Sequence, residues 1–485
     1  MTEPYELTAL EQAAALREGE LGAVELVEHA LRRVERWDPE LAAFVTLTPE
    51  RALDAARAAE KLLAGGPAAR DSAAGELPAL LGVPTAIKDL AVTAGVRTTF
   101  GSPVYADYVP EVDDDAARLL AAAGTISLGK TAVPEFGLPP YTEPAGRPPT
   151  VTPWDVRRLA GGSSGGAGAA VAGGLIPFAH GTDGGGSIRI PASVCGLVGL
   201  KTSRGLVSRG PVGGDPLGLS VSGPLARTVS DAAAMLDALA VPVPGEPFAR
   251  PRIGDESFLD AVRRAAPGRL RIGRYSQPML PELTVDPACL AAYERASGLL
   301  AELGHEVVDV DPGFDPEFVE VFETLWAVLA HGHPVPPSAE STLRPLTRWW
   351  RARGAAVSGP EFMVAAQAAQ NLSRRVITGH LLVDVTLTPT LAQLPRPVGW
   401  FTAGGDPADD YARQQAFTPY TAIYNITGQP ALSLPLGWTE PTPDQPVLPV
   451  GVQLVGAPGA DRLLLELGAQ LESAAPWAHR HPPTW

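Results

Sequence analysis

Cysteine is almost absent from this chain: residues 195 and 289 are the only two among 485. Cys195 and Cys289 lie far apart in apolar surroundings. That usage predicts reduced core thiols in a cytoplasmic protein and argues against a disulfide framework. Positive charge is also scarce. Lys and Arg number 38 against 54 Asp and Glu, leaving a net charge of -16. An acidic surface repels phosphate backbones and anionic headgroups, so no nucleic-acid partner and no membrane partner is expected. No transport signal is expected, because the opening segment MTEPYELTAL is acidic where a signal peptide needs a basic start and an apolar run. Long apolar runs are missing too. The best charge-free stretch, Gly161 to Ala179, has seven glycines among nineteen residues and is too weakly apolar to stay in a bilayer.

Apolar residues make up 45% of the chain, and Gly and Pro number 51 and 50. The first supplies ample core. The second is high, but the glycines cluster, which points to built loops. Three helices are expected before residue 66. The first is opened by the Thr8/Glu11 capping box, the second runs from Val24 to Trp37 and stops at Asp38-Pro39, and the third opens on Thr48-Pro49. Residues 66–79 read as a loop. Strands are expected at 80–87, 125–128, 270–275, 306–310, 383–387, 431–434 and 452–455, with helices between them, including one capped by Ser230. A Pro-rich loop is expected from Thr131 to Ala160. This alternation predicts an α/β layered fold. No repeat, charge block or linker divides it, so residues 1–485 read as one large domain. Residues 66–235 hold the unusual glycine segments, and 312–380 form a mostly helical stretch carrying Trp326, Trp349 and Trp350.

Three motif matches mislead. Gly124 to Thr131 fits the P-loop pattern, but a helix precedes it and the supposed loop is strand-like, the reverse of what a phosphate cradle needs. Ser127-Leu-Gly-Lys130 fits the Ser-x-x-Lys of β-lactamases but lies on that same strand. Gly-x-Ser-x-Gly occurs around Ser163 and again around Ser164. A nucleophile elbow needs a strand leading in, and residues 153–160 read as loop. The histidines show no metal spacing, so no metal and no cofactor is expected, and His180 reads as a local hydrogen-bonding residue.

Three segments remain: Gly82-Val-Pro-Thr-Ala-Ile-Lys88-Asp89, Gly161-Gly-Ser163-Ser164-Gly-Gly166 and Gly181-Thr-Asp183-Gly-Gly-Gly-Ser187-Ile-Arg189. Consecutive glycines let backbone N–H groups converge on one point, and Ser187 follows them directly. A hydroxyl beside such donors suits acyl transfer; a flexible turn is the plainer alternative. A serine needs a base, and a lysine serves if burial keeps it neutral. Lys88, at the end of an apolar strand, is the candidate; a surface lysine capping a strand is the alternative.

Together these segments resemble the amidase signature family. Cys195-Gly-Leu-Val-Gly-Leu-Lys201, Ser222-Gly-Pro-Leu-Ala-Arg227, Gly428-Gln-Pro-Ala-Leu-Ser-Leu-Pro435 and Gly451-Val-Gln-Leu-Val-Gly456 extend the likeness to nearly the whole chain. The resemblance implies one large mixed sheet sandwiched between helical layers. It implies a catalytic triad of Ser187 as nucleophile, Ser163 as relay after a cis peptide, and Lys88 as base. It places the oxyanion hole on the amides of Gly184, Gly185, Gly186 and Ser187, with Ser164, Asp183 and Arg189 in support. The chain departs from the family at Gly184, where a larger residue is usual, and at Thr152, where asparagine is common.

Thr142-Glu-Pro144, Ala192 to Cys195, Asn425 to Gln429 and Leu471 to Trp477 look similar to bacterial amidases acting on nylon oligomers. The expected partner is therefore a small-molecule amide or carbamate, with urethanase and aryl-ester cleavage open to the same hydroxyl. Two other functions compete: the amidotransferase-type subunit of a tRNA-dependent amidation complex, and an inactive binding protein on the same fold. Part of 312–380 is expected to cover the site.

Overall fold

The computed structural model describes residues 3–65, 77–313 and 317–485. The expected loop at 66–79 lies outside them for residues 66–76. Strands β1 (Phe44–Leu47), β2 (Pro84–Lys88) and β3 (Ile126–Thr131) form a three-stranded sheet in the order β1-β3-β2. Strands β4 (Val151–Thr152) and β5 (Asp155–Leu159) pair as an antiparallel hairpin. The remaining strands are β6 (Phe178–Asp183), β7 (Val198–Lys201), β8 (Val221–Ala226), β9 (Arg271–Arg274), β10 (Glu306–Asp309), β11 (Val385–Pro389), β12 (Ala431–Trp438) and β13 (Pro449–Gly456). They make an eight-stranded mixed sheet ordered β10-β9-β11-β13-β12-β7-β8-β6. Strands β10, β9 and β11 run parallel, and every other pairing is antiparallel. This is the α/β architecture with a large mixed sheet and many helices. A continuous apolar core runs from Ala9 to Trp477.

Several local expectations are corrected. The second helix spans Ala23–Leu41 with Pro39 inside it. Beyond the helix, the Asp38 carboxylate accepts from the Ala43 and Phe44 amides at 2.6 and 3.1 Å and ties down the chain that follows. The helix Val229–Leu239 is capped by Thr228 and not by Ser230. The segment read as loop before Gly161 is β5, so a strand does lead into the glycine–serine run. Its polar sequence disguised it: Asp155 accepts from the side chains of both Arg157 and Arg158, which satisfies charges that would otherwise oppose pairing. Strands β6, β7 and β8 carry Gly, Pro, Ser and His at buried positions and lack the usual apolar alternation. β3 passes through the P-loop-like segment, which disposes of a phosphate cradle there.

Two connections place the chemistry. β2 ends on Lys88, packed beside β6. β6 ends on Asp183, and the glycine turn after it leads through Ser187 into the helix Arg189–Cys195.

Candidate active site

Lys88 is completely buried. Its Nζ is hydrogen bonded to the Ser163 Oγ at 2.9 Å and donates to the Thr182 carbonyl at 3.0 Å. Among the described residues no carboxylate forms an ion pair with it. Burial strips water from the ammonium and holds the Lys88 amine well below the ordinary lysine range; Asp183 pulls it back up, and the Arg209 charge presses it further down.

Ser163 is buried and follows a cis peptide bond from Gly162. Glycine is required at 162 because the chain passes against Pro140 and Tyr141: a Cβ there would stand 2.5 Å from the Tyr141 amide nitrogen. Ser164 donates its hydroxyl to the same Thr182 carbonyl at 3.2 Å, and its amide donates to the Ser187 carbonyl at 3.2 Å. The two serine segments are thereby tied together through backbone groups.

Ser187 lines a cleft together with Leu138, Pro140, Ile190 and Trp326. Its hydroxyl and that of Ser163 share no hydrogen bond among the described residues. The loop beneath it is fixed by Asp183. One Asp183 oxygen accepts from the Gly186 amide at 2.8 Å and the other from the Ile188 amide at 3.1 Å. Arg189 chelates both oxygens, at 2.8 and 3.0 Å, with neither side chain exposed. Burial alone would push the Asp183 carboxyl up, but the Arg189 guanidinium outweighs it and holds the group far below the usual carboxylate range. Gly186 also has φ +133, and a Cβ would meet the Thr421 hydroxyl at 2.5 Å, so no larger residue fits.

Of the four amides that the resemblance implies for an oxyanion hole, one already has a partner. The Gly186 amide is committed to Asp183. The amides of Gly184, Gly185 and Ser187 have no hydrogen-bond partner among the described residues and remain available.

Sequence reasoning missed the outer partners of this network. Asn425 donates to the Asp183 carbonyl and carboxylate at 2.8 and 2.9 Å, and accepts from Arg189 at 2.7 Å. Gln453 accepts from Arg189 at 2.7 Å, and Thr421 donates to the Gly185 carbonyl at 2.6 Å. One signal for Gln453 was present: a lone amide inside the apolar strand Val450–Val455 needs a buried partner. His180 is buried and hydrogen bonded to Ser222 at 3.2 Å; burial lowers it to about 3. Cys195 and Cys289 are free and buried, and burial raises the Cys195 thiol to about 12.

Of the three tryptophans, Trp326 lines the cleft. Trp350 is core, and Trp349 packs edge-on against it. No helix of the described residues is long and apolar enough to cross a membrane.

A buried amine, two serines and a fixed glycine turn border one cleft. Comparison with known proteins assigns the group: the family model described as Amidase matches residues 25–465, and the chain belongs to that family of amide hydrolases. It is 40% identical to the putative amidase AmiB2 of Mycobacterium tuberculosis (strain ATCC 25618 / H37Rv) over 482 residues, covering 98% of this chain and 97% of that one. It is 35% identical to the 6-aminohexanoate-cyclic-dimer hydrolase of Paenarthrobacter ureafaciens, covering 98% and 96%. The solved structure of a 6-aminohexanoate cyclic dimer hydrolase complexed with substrate superposes with a TM-score of 0.88 at 32% identity, covering 99% of each chain.

Proposed function

We propose that the protein cleaves the C–N bond of small-molecule amides through an acyl-enzyme on Ser187, and that carbamates and aryl esters enter the same path. The observation that carries this reading is the buried Lys88 amine, 2.9 Å from Ser163 and, among the described residues, without an ion-pair partner. Neutral Lys88 takes the Ser163 proton as Ser163 takes that of Ser187. The Ser187 oxygen bonds to the carbonyl carbon, and the carbonyl oxygen becomes an oxyanion facing the amides of Gly184, Gly185 and Ser187. Collapse breaks the C–N bond, and the amine leaves with the proton returned from Lys88 through Ser163. Water then repeats the sequence on the acyl-enzyme and releases the acid. Closure of the Ser163–Ser187 contact belongs to the substrate-bound state, where catalytic hydrogen bonds tighten.

The amidotransferase-subunit alternative is not carried forward, since the relatives reported above are named amidases and a cyclic-dimer hydrolase. A cytoplasmic setting accords with the two free thiols. Replacing Ser187 with Ala is expected to cost on the order of 10⁶ in kcat on an anilide. A fluorophosphonate should label Ser187 in the wild type, read by peptide mass spectrometry. Label on Ser163 or Ser164, with Ser187→Ala still active, would reverse the assignment.

A further inference from the structure

The cleft has one wall of unusual regularity. Phe318, Phe322 and Trp326 lie four residues apart on the helix Glu317–Gly332, so they share one face. Their rings stack in sequence, with centroids 6.0 and 5.2 Å apart and planes within 20° of parallel. Phe318 is buried, whereas Phe322 and Trp326 are half-buried and open onto the cleft. The ladder lies against the turn that carries the free amides. A Cβ on Gly184 would stand 3.4 Å from the Trp326 ring, and one on Gly185 would stand 3.5 Å from the Phe322 ring. The ring edges of Trp326 and Phe322 thus stand at ordinary contact distance from where side chains at 184 and 185 would begin.

The orientation of a substrate follows from where its proton must arrive. The leaving amine has to face Ser163, and Ser163 lies beside Gly137: a Cβ there would meet its hydroxyl at 3.2 Å. Leu138 and Pro140 continue that side of the cleft. The ladder stands on the Gly184–Gly185 side, so it borders the acyl half. Among the described residues no Asp, Glu, Lys, Arg or His lines the cleft. Its Tyr411 is hydrogen bonded to Glu323, and burial raises that phenol far above its ordinary range. An acyl group bearing a carboxylate would lose its water there with no cation to receive it.

We infer that Phe322 and Trp326, seated against Gly184 and Gly185, select amides whose acyl group is uncharged, flat and apolar. This rests on Ser187 being the nucleophile. A stacked ring also holds the carbonyl against the free amides, so the selection acts on the attack itself and not on binding alone.

The test uses the full chain and three anilides with one leaving group: acetyl, phenylacetyl and succinyl. The wild type should favour phenylacetyl over succinyl by at least about 100-fold in kcat/KM. Trp326→Ala should cut the phenylacetyl-to-acetyl ratio by about 10-fold or more, and Gly184→Ile should do the same by driving the Trp326 ring off the turn. Phe322→Arg should raise succinyl relative to phenylacetyl. Each result is a ratio within one preparation, so partial unfolding does not move it. A wild-type ratio near one, or ratios unchanged in all three variants, would overturn the inference while acetanilide turnover and Ser187 labelling persist. Turnover without Ser187 would instead remove the reading beneath it.

Discussion

Two buried basic side chains, Arg189 and Lys88, border the same glycine-rich site, and they are treated in opposite ways. Arg189 makes five side-chain hydrogen bonds, two of them to the Asp183 carboxylate. Its charge is fully matched, and guanidinium does not give up its proton. Lys88 makes two contacts, both to neutral oxygens. Burial without a counter-ion leaves deprotonation as its cheapest state. The first environment makes a strut, and the second suits the base proposed above. Burial alone does not separate structural from chemical charges; the number and charge of the partners do.

The largest expected effect breaks the chemical side. Lys88→Met should lower kcat on an anilide by about 10²- to 10⁴-fold, because both proton transfers lose their carrier. Its melting temperature should not fall, since no ion pair is lost. A fall of many degrees with activity retained would place Lys88 among the struts. On the other side, Arg189→Met leaves the Asp183 carboxylate buried and unpaired, which costs about 3–5 kcal/mol of stability. Denaturant unfolding of Asp183→Asn/Arg189→Met should recover part of that loss, because the orphaned charge is gone. A double variant no better than the single would show that the guanidinium acts through packing.

The smallest effect sharpens the contrast through pH. Only unprotonated Lys88 can accept a proton, so kcat/KM should climb with pH to a plateau. The midpoint should lie well below the unperturbed 10.5. Asp183, Arg209 and His180 are the charged or titratable groups tied electrostatically to Lys88. Asp183 favours the ammonium, so Asp183→Asn should move the midpoint downward. A midpoint at the unperturbed value, or an upward move in that variant, would contradict the scheme.

The sequence carried much of this site because its parts are local. The glycine turn, Ser187 and Asp183 occupy one short segment, and Lys88 ends a recognisable apolar strand. The outer partners were not readable, since Thr421, Asn425 and Gln453 lie more than 230 residues downstream of Asp183 and only folding unites them. The fold divides in the same manner. Strands with apolar runs, such as β11 and β13, were legible. β6 and β8 were not, because Gly181, Gly223 and Pro224 erase the strand signal in positions held by neighbouring strands. Pro39 misled as well: it lies in the last turn of the helix Ala23–Leu41, which continues past it.

The aromatic ladder meets the turn with ring carbons: Cζ3 and Cη2 of Trp326 and Cζ of Phe322. The hydrogen bonds that fix the turn come from Asp183, Thr421 and Asn425, none of which lies on that helix. Holding the catalyst and shaping its mouth are therefore separate inheritances. A lineage can drift at 318, 322 and 326 and change what it digests without loosening the groups that do the cutting. A directed-evolution library at those three codons would sample new diets from one unchanged set of jaws.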